Sequence, residues 1–70
     1  MPTLKEYRVE ANLSLSQLAR RANIATATVS RAEDGLPVQE LKAIAIARAL
    51  SEVLGKKLTV HDIEDLKIYS

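Results

Sequence analysis

The sequence contains no cysteine, and that absence removes several chemistries at once. No disulfide can staple the chain, no thiolate can hold zinc, and no oxidising compartment is implied. The single histidine, His61, excludes a metal site built from clustered imidazoles. The two glycines, Gly35 and Gly55, lie too far apart to form a glycine-rich loop around a phosphate. No apolar run approaches the roughly 18 residues of a membrane span, and the charged N-terminal stretch "MPTLKEYRVE" lacks the apolar core of a secretory leader. A soluble, cytoplasmic protein with no membrane association is expected. No nucleophile is spaced against a general base, so neither an enzyme nor a cofactor is expected.

What remains is one small unit. Seventy residues support a single domain over 1–70, and such a chain buries only about 60% of the surface that its unfolded form exposes. Apolar residues make up 47% and charged residues 27%, a balance that favours a folded domain over a disordered chain. The net charge of +1 excludes a polycation, so distribution matters more than total. Between Ala11 and Ala32 stand Arg20, Arg21 and Arg31 and no acid; from Glu33 to Glu40 stand three acids and no base. The positive field is therefore confined to one segment.

The spacing of apolar residues and caps predicts five helices and no strand. Thr3, with Glu6 as capping-box partner, opens a first helix over about 4–11, whose inward stripe is Leu4, Tyr7, Arg8 and Ala11. Asn12 and Leu13 break it. Ser14 and Gln17 form a second box ahead of "LSQLARRA", with Leu15, Leu18, Ala19 and Ala22 inward and Arg20 and Arg21 toward water. Asn23 suits a left-handed position after that helix, and Ile24 plugs the turn. A third helix runs over about 26–34 with Val29 and Ala32 inward; Gly35 ends it, and Pro37 lies in the connection. The fourth, about Val38–Leu54, is apolar nearly all round and reads as the buried spine. After "GKK", Thr59 and Asp62 cap a short last helix that contributes Ile63 and Leu66, and the tail "KIYS" is unassigned.

The third helix is unusual in composition. "IATATVSRAEDG" offers threonines, a serine and alanines where a core helix would use larger apolar residues and a solvated helix would use Lys and Glu. Two short helices joined by a tight turn form the helix-turn-helix unit, here at about 14–35, whose second helix stands clear of the domain. A DNA major groove about 12 Å wide admits a helix only where outward side chains do not hold the backbone away. Thr26, Ala27, Thr28 and Ser30 are short enough, and their hydroxyls or methyls can touch base edges or phosphates. Arg31 is the one long donor, and its planar fork suits guanine O6 and N7 or a phosphate pair. The duller readings are a solvated Arg31, solubilising Arg20 and Arg21, an exposed His61, and solvated helix acids at Asp62, Glu64 and Asp65 in place of a cation site, since the spacing is not that of a calcium loop.

"LSLSQLARRANIATATVSRAEDG", with "LKAIAIARAL" and "LTVHDIEDL", resembles the phage-repressor or Cro type of helix-turn-helix, the xenobiotic-response-element (XRE) family, over about residues 4–66. "LARRANI", "TVSRAEDG" and "ARAL" are its most specific parts. The resemblance implies an all-α, five-helix, lambda-repressor-like domain and a dimeric transcriptional regulator such as a repressor. Thr26, Ala27 and Arg31 match positions that read bases, while Ser14, Ser16, Thr28 and Ser30 match positions at or near the DNA backbone. Arg8 and Glu33 match a buried ion pair joining the first helix to the end of the recognition helix. Base-contact candidates are thus Thr26, Ala27, Ser30 and Arg31; phosphate candidates are Ser14, Ser16, Gln17, Arg20, Arg21 and Thr28. Leu15 stands where many members carry a phosphate-clamping Gln. The loop "GLPV", between Asp34 and Glu40, is shorter and less basic than usual. Both departures remove backbone contacts.

The expected partner is double-stranded DNA carrying a palindromic operator, bound by a homodimer. Family analogy places the dimer contact near the C-terminus, among Leu58, Val60, Leu66, Ile68 and Tyr69. The alternative is a protein-interaction module of the same fold, either an antitoxin with a toxin partner or a phage or plasmid accessory factor.

Overall fold

The computed structural model describes residues 2–69 and shows four α-helices, followed by a short 3-10 turn. Helix α1 (Leu4–Glu10) begins where its cap spacing requires: the Thr3 hydroxyl accepts from the Glu6 N–H at 3.3 Å, and the Glu6 carboxylate accepts from the Thr3 N–H at 2.8 Å. Helix α2 (Leu15–Ala22) repeats the device, with the Gln17 N–H donating to Ser14 Oγ at 3.1 Å and the Ser14 N–H donating to Gln17 Oε1 at 2.8 Å. Each box satisfies helix-end donors that would otherwise depend on water.

Asn23 ends α2 in the left-handed region at φ 61°, and the Ile24 N–H returns to the Ala19 carbonyl at 2.9 Å. That pair of features turns the chain sharply into α3 (Thr26–Glu33). Helix α4 (Glu40–Leu54) ends on Gly55 at φ 69°, where a side chain would strain the backbone. The core lies between α2, α3 and α4, with α1 across it. Its fully buried large side chains are Leu4, Leu18, Val29, Ile46 and Leu50, and Ala19, Ala32, Ala43, Ala47 and Ala49 fill the spaces between them. Alanines at these contacts let short helices approach closely, which a chain of this size needs to exclude water from so small a core.

Three expectations require correction. The fifth helix is only a 3-10 turn, Val60–Asp62. Its capping box is present, but Ile63 leaves it in extended conformation, at φ −104° and ψ 113°. Tertiary contacts override the local helix signal here: Ile63 and Leu66 are buried, the Glu64 N–H donates to the Pro2 carbonyl at 3.1 Å, and Asp65 accepts from the Leu4 N–H at 2.9 Å. Asp65 is therefore a structural acceptor and not a solvated helix acid, whereas Asp62 is the capping-box partner that its spacing predicts and Glu64 is exposed.

Second, α4 starts at Glu40, not Val38, because Val38 pairs with the tail in an isolated parallel bridge to Ile68. The Val38 N–H donates to the Lys67 carbonyl at 3.0 Å and the Tyr69 N–H donates to the Val38 carbonyl at 3.1 Å. Third, α4 is not buried all round: Leu41 is 79% exposed and Ile44 38%. A four-helix domain covers only one side of its longest helix, and these two residues lie on the uncovered side. Of the apolar residues placed at a C-terminal dimer contact, Leu58 and Leu66 belong to the core, and Val60 and Ile68 pack against it.

Burial separates residues of one type sharply. Leu50→Ala is expected to cost about 2–5 kcal/mol through lost contacts and a residual cavity. Leu41→Ser is expected to stay within about 0.5 kcal/mol; denaturant unfolding of the two variants checks the contrast.

The capping carboxylates make stability depend on pH. The Thr3 backbone N–H, and then its hydroxyl, hold Glu6 below its ordinary value, and the Thr59 backbone N–H, and then its hydroxyl, do the same for Asp62. A carboxylate lowered on folding stabilises above its unfolded-state value, and the contribution is lost as pH falls through the folded-state value. Thermal melting followed from neutral pH down to about pH 3 should therefore show a flatter acid decline for the Glu6→Gln, Asp62→Asn double variant than for the parent.

Candidate nucleic-acid interface

Val29 and Ala32 are fully buried, and this seating determines what α3 presents outward. Thr26, Ala27 and Arg31 are exposed; Thr28 and Ser30, which flank Val29, are half-buried at the edge. The face carries no carboxylate. Its N-cap residue is Ala25, which has no side-chain acceptor, so the first-turn N–H groups of α3 lack the cap that Ser14 gives α2. An uncapped helix start with short side chains around it suits an anionic acceptor brought from outside.

Helix α2 supplies the basic side of the surface. Ser14, Ser16, Gln17, Arg20 and Arg21 are all exposed, and Leu13, Gln17, Arg20 and Arg21 line one shallow cleft. Gln17 turns its Oε1 to the Ser14 N–H, which leaves its Nε2 for an outside acceptor. Leu15, at the position that departs from the family pattern, is half-buried and packs against the core. Asp34 and Glu40 are exposed just beyond α3.

The Arg8–Glu33 pair fixes the orientation of this surface. Arg8 Nε donates to Glu33 Oε2, Nη2 donates to Oε1 at 3.4 Å, and Nη1 donates to the Leu13 carbonyl at 2.9 Å. One guanidinium thus ties α1, the loop before α2 and the end of α3. The two side chains are only 14% and 11% exposed, so both charges are largely withdrawn from water. The pair also neutralises the acid nearest the exposed face of α3.

The structure adds Gln39, Lys42 and Tyr69, three polar residues that sequence reasoning did not place beside α3. A second cleft beside α3 is lined by Thr28, Arg31, Pro37, Val38, Gln39, Lys42 and Tyr69. Within it, Arg31 Nη2 donates to the Tyr69 hydroxyl at 3.1 Å. No local signal marks Tyr69, because its approach to α3 depends on the distant Val38–Ile68 bridge. Lys42 could have been noticed as the first base after the acidic 33–40 stretch. His61 is exposed. Among the described residues no cluster of three or more His, Cys, Asp or Glu side chains could hold a metal ion, and no helix is long and apolar enough to cross a membrane.

A helix seated by two buried residues, preceded by a capped helix and a left-handed turn, with small and basic side chains outward, is the geometry of a DNA-binding helix-turn-helix. The helix-turn-helix family model matches residues 4–60. The chain belongs to this family, the Cro/C1-type (XRE) helix-turn-helix domains of DNA-binding regulators. No curated protein and no solved structure matches it.

Removing one member of the ion pair leaves the other largely withdrawn from water without its counter-charge. Glu33→Ala is expected to cost about 3 kcal/mol in denaturant unfolding, the lower end for a buried pair. Replacing both partners, as Arg8→Met with Glu33→Met, should cost less than that single change, because no charge is then stranded.

Proposed function

We propose that this protein is a sequence-specific transcriptional regulator that inserts α3 into the major groove of double-stranded DNA. The observation that carries this reading is the joint exposure of Thr26, Ala27 and Arg31 on a helix held by Val29 and Ala32. Thr26, Ala27 and Ser30 approach base edges, and Arg31 donates to guanine O6 and N7. Ser14, Ser16, Gln17, Arg20, Arg21 and Thr28 face phosphates, with the uncapped start of α3 aimed at the backbone.

A single domain of this kind covers about 600–1,000 Å² of DNA-facing surface, little for tight discrimination. Two copies on a palindromic operator, with half-sites about 34 Å apart, double the readout. The exposed Leu41 and Ile44 of α4 favour a protein contact as well. A second copy is one occupant of that face. A toxin partner is the other, which is the antitoxin reading and is compatible with operator binding.

Selection of binding sites from random duplex DNA at two salt concentrations tests the proposal. An enriched half-site with steep salt dependence is the expected result. Absence of enrichment even at low salt would leave the protein-interaction reading in its place. Arg31→Ala should relax preference at one base pair and cost about 1–3 kcal/mol on the preferred site, whereas Arg20→Ala should weaken all sites alike and lower the salt slope by about 1.

A further inference from the structure

We propose that Tyr69 is a specificity-positioning residue: its hydroxyl holds the Arg31 guanidinium in the orientation from which it reads a base. The inference rests on the base-reading role given to Arg31 above.

Tyr69 is placed by backbone, not by chance contact. Its N–H donates to the Val38 carbonyl at 3.1 Å, while the Val38 N–H donates to the Lys67 carbonyl at 3.0 Å. Val38 is itself 3% exposed, so the residue that anchors the tail is part of the core. Ile68, between the two bonds, packs against that core. The side chains of Ile68 and Tyr69 alternate across the bridge, one inward and one toward α3. Tyr69 remains 56% exposed while its hydroxyl lies 3.1 Å from Arg31 Nη2.

The chemistry of that contact favours readout over occlusion. A guanidinium has five N–H donors in a fixed plane. The tyrosine takes one, from Nη2, and the remaining donors are enough for a bidentate bond to guanine O6 and N7. The hydroxyl accepts from the arginine and keeps its own proton, which can be donated to a base or a phosphate. An arginine on an exposed helix face otherwise samples many rotamers, and restricting it before binding lowers the entropy lost in the complex. Among the described residues the cleft is lined by Thr28, Gln39 and Lys42 beside the pair and by no carboxylate, so no described acidic side chain competes for the arginine.

The test uses the whole chain and selection from random duplex DNA, with Arg31→Ala, Tyr69→Phe and the double variant in parallel. Tyr69→Phe keeps the ring and the backbone bridge and removes only the hydroxyl. Discrimination should fall by about two- to tenfold, the worth of one hydrogen bond, at the same base pair that Arg31→Ala relaxes. Preference elsewhere and the salt slope should stay unchanged, and the double variant should match Arg31→Ala alone. In the free protein, NMR relaxation of the Arg31 Nε–H should report greater mobility in Tyr69→Phe, a signature that loss of stability alone does not give. If Arg31→Ala relaxes one position but Tyr69→Phe relaxes none, or a different one, the positioning role is wrong and the base-reading role stands. Tighter or sharper binding by Tyr69→Phe would show that the bond covers the arginine, which also overturns the proposal. If Arg31→Ala leaves the motif intact, base reading by Arg31 fails first and the positioning role falls with it.

Discussion

The orientation of α3 depends on a charge pair that is largely withdrawn from water. Arg8 reaches from α1 to Glu33 at the end of α3 and also satisfies the Leu13 carbonyl in the loop before α2. Apolar packing of Val29 and Ala32 holds α3 against the domain, but packing is non-directional and a short helix could roll on it. The two-pronged guanidinium–carboxylate contact supplies the missing direction. It also gives Glu33 a counter-charge, so that within α3 itself no carboxylate is left unpaired and the first exposed acid is Asp34, just beyond the helix. Stability and charge patterning are therefore served by the same pair.

Elements whose signals are local were legible in the sequence. Three capping boxes, at Thr3–Glu6, Ser14–Gln17 and Thr59–Asp62, form as their three-residue spacing requires. Asn23 takes the left-handed position, and α3 turns Val29 and Ala32 inward with Thr26, Ala27 and Arg31 outward. The ion pair was legible only through the family resemblance, since 25 residues separate its members. The misread parts share one cause. The box at Thr59 starts a turn that Ile63, Leu66 and Asp65 then pull into the core and onto α1, and no helical period records that competition. Apolar residues around α4 suggested a buried spine. Whether a partner covers each face depends on how many elements the chain has, and here Leu41 and Ile44 are left over.

The tail is the least legible part and bears most closely on the candidate site. "KIYS" has no period and no cap, yet two backbone hydrogen bonds to Val38 bring Tyr69 to Arg31 across 38 positions of sequence. Val38 was read as the start of α4. Because its N–H and carbonyl are both used by the tail, the helix starts two residues later. One pairing therefore explains both the displaced helix boundary and the unforeseen aromatic partner of the main arginine donor on α3.

Charge arithmetic sets the balance between affinity and discrimination. With a net charge of +1 and acids at Asp34 and Glu40 flanking α3, the surface proposed to face DNA carries few cations: Arg20 and Arg21 on α2, Arg31 on α3 and Lys42 in the cleft beside it. Phosphate contacts supply most of the sequence-independent attraction to DNA. A regulator short of them binds random DNA weakly, and the fraction of its binding energy that comes from base edges rises accordingly. Under that constraint a pre-oriented arginine matters more than it would in a strongly basic domain, because each base contact carries a larger share of the total. On the palindromic operator proposed above, a second copy would add its base contacts together with its phosphate contacts, so discrimination and affinity would rise together.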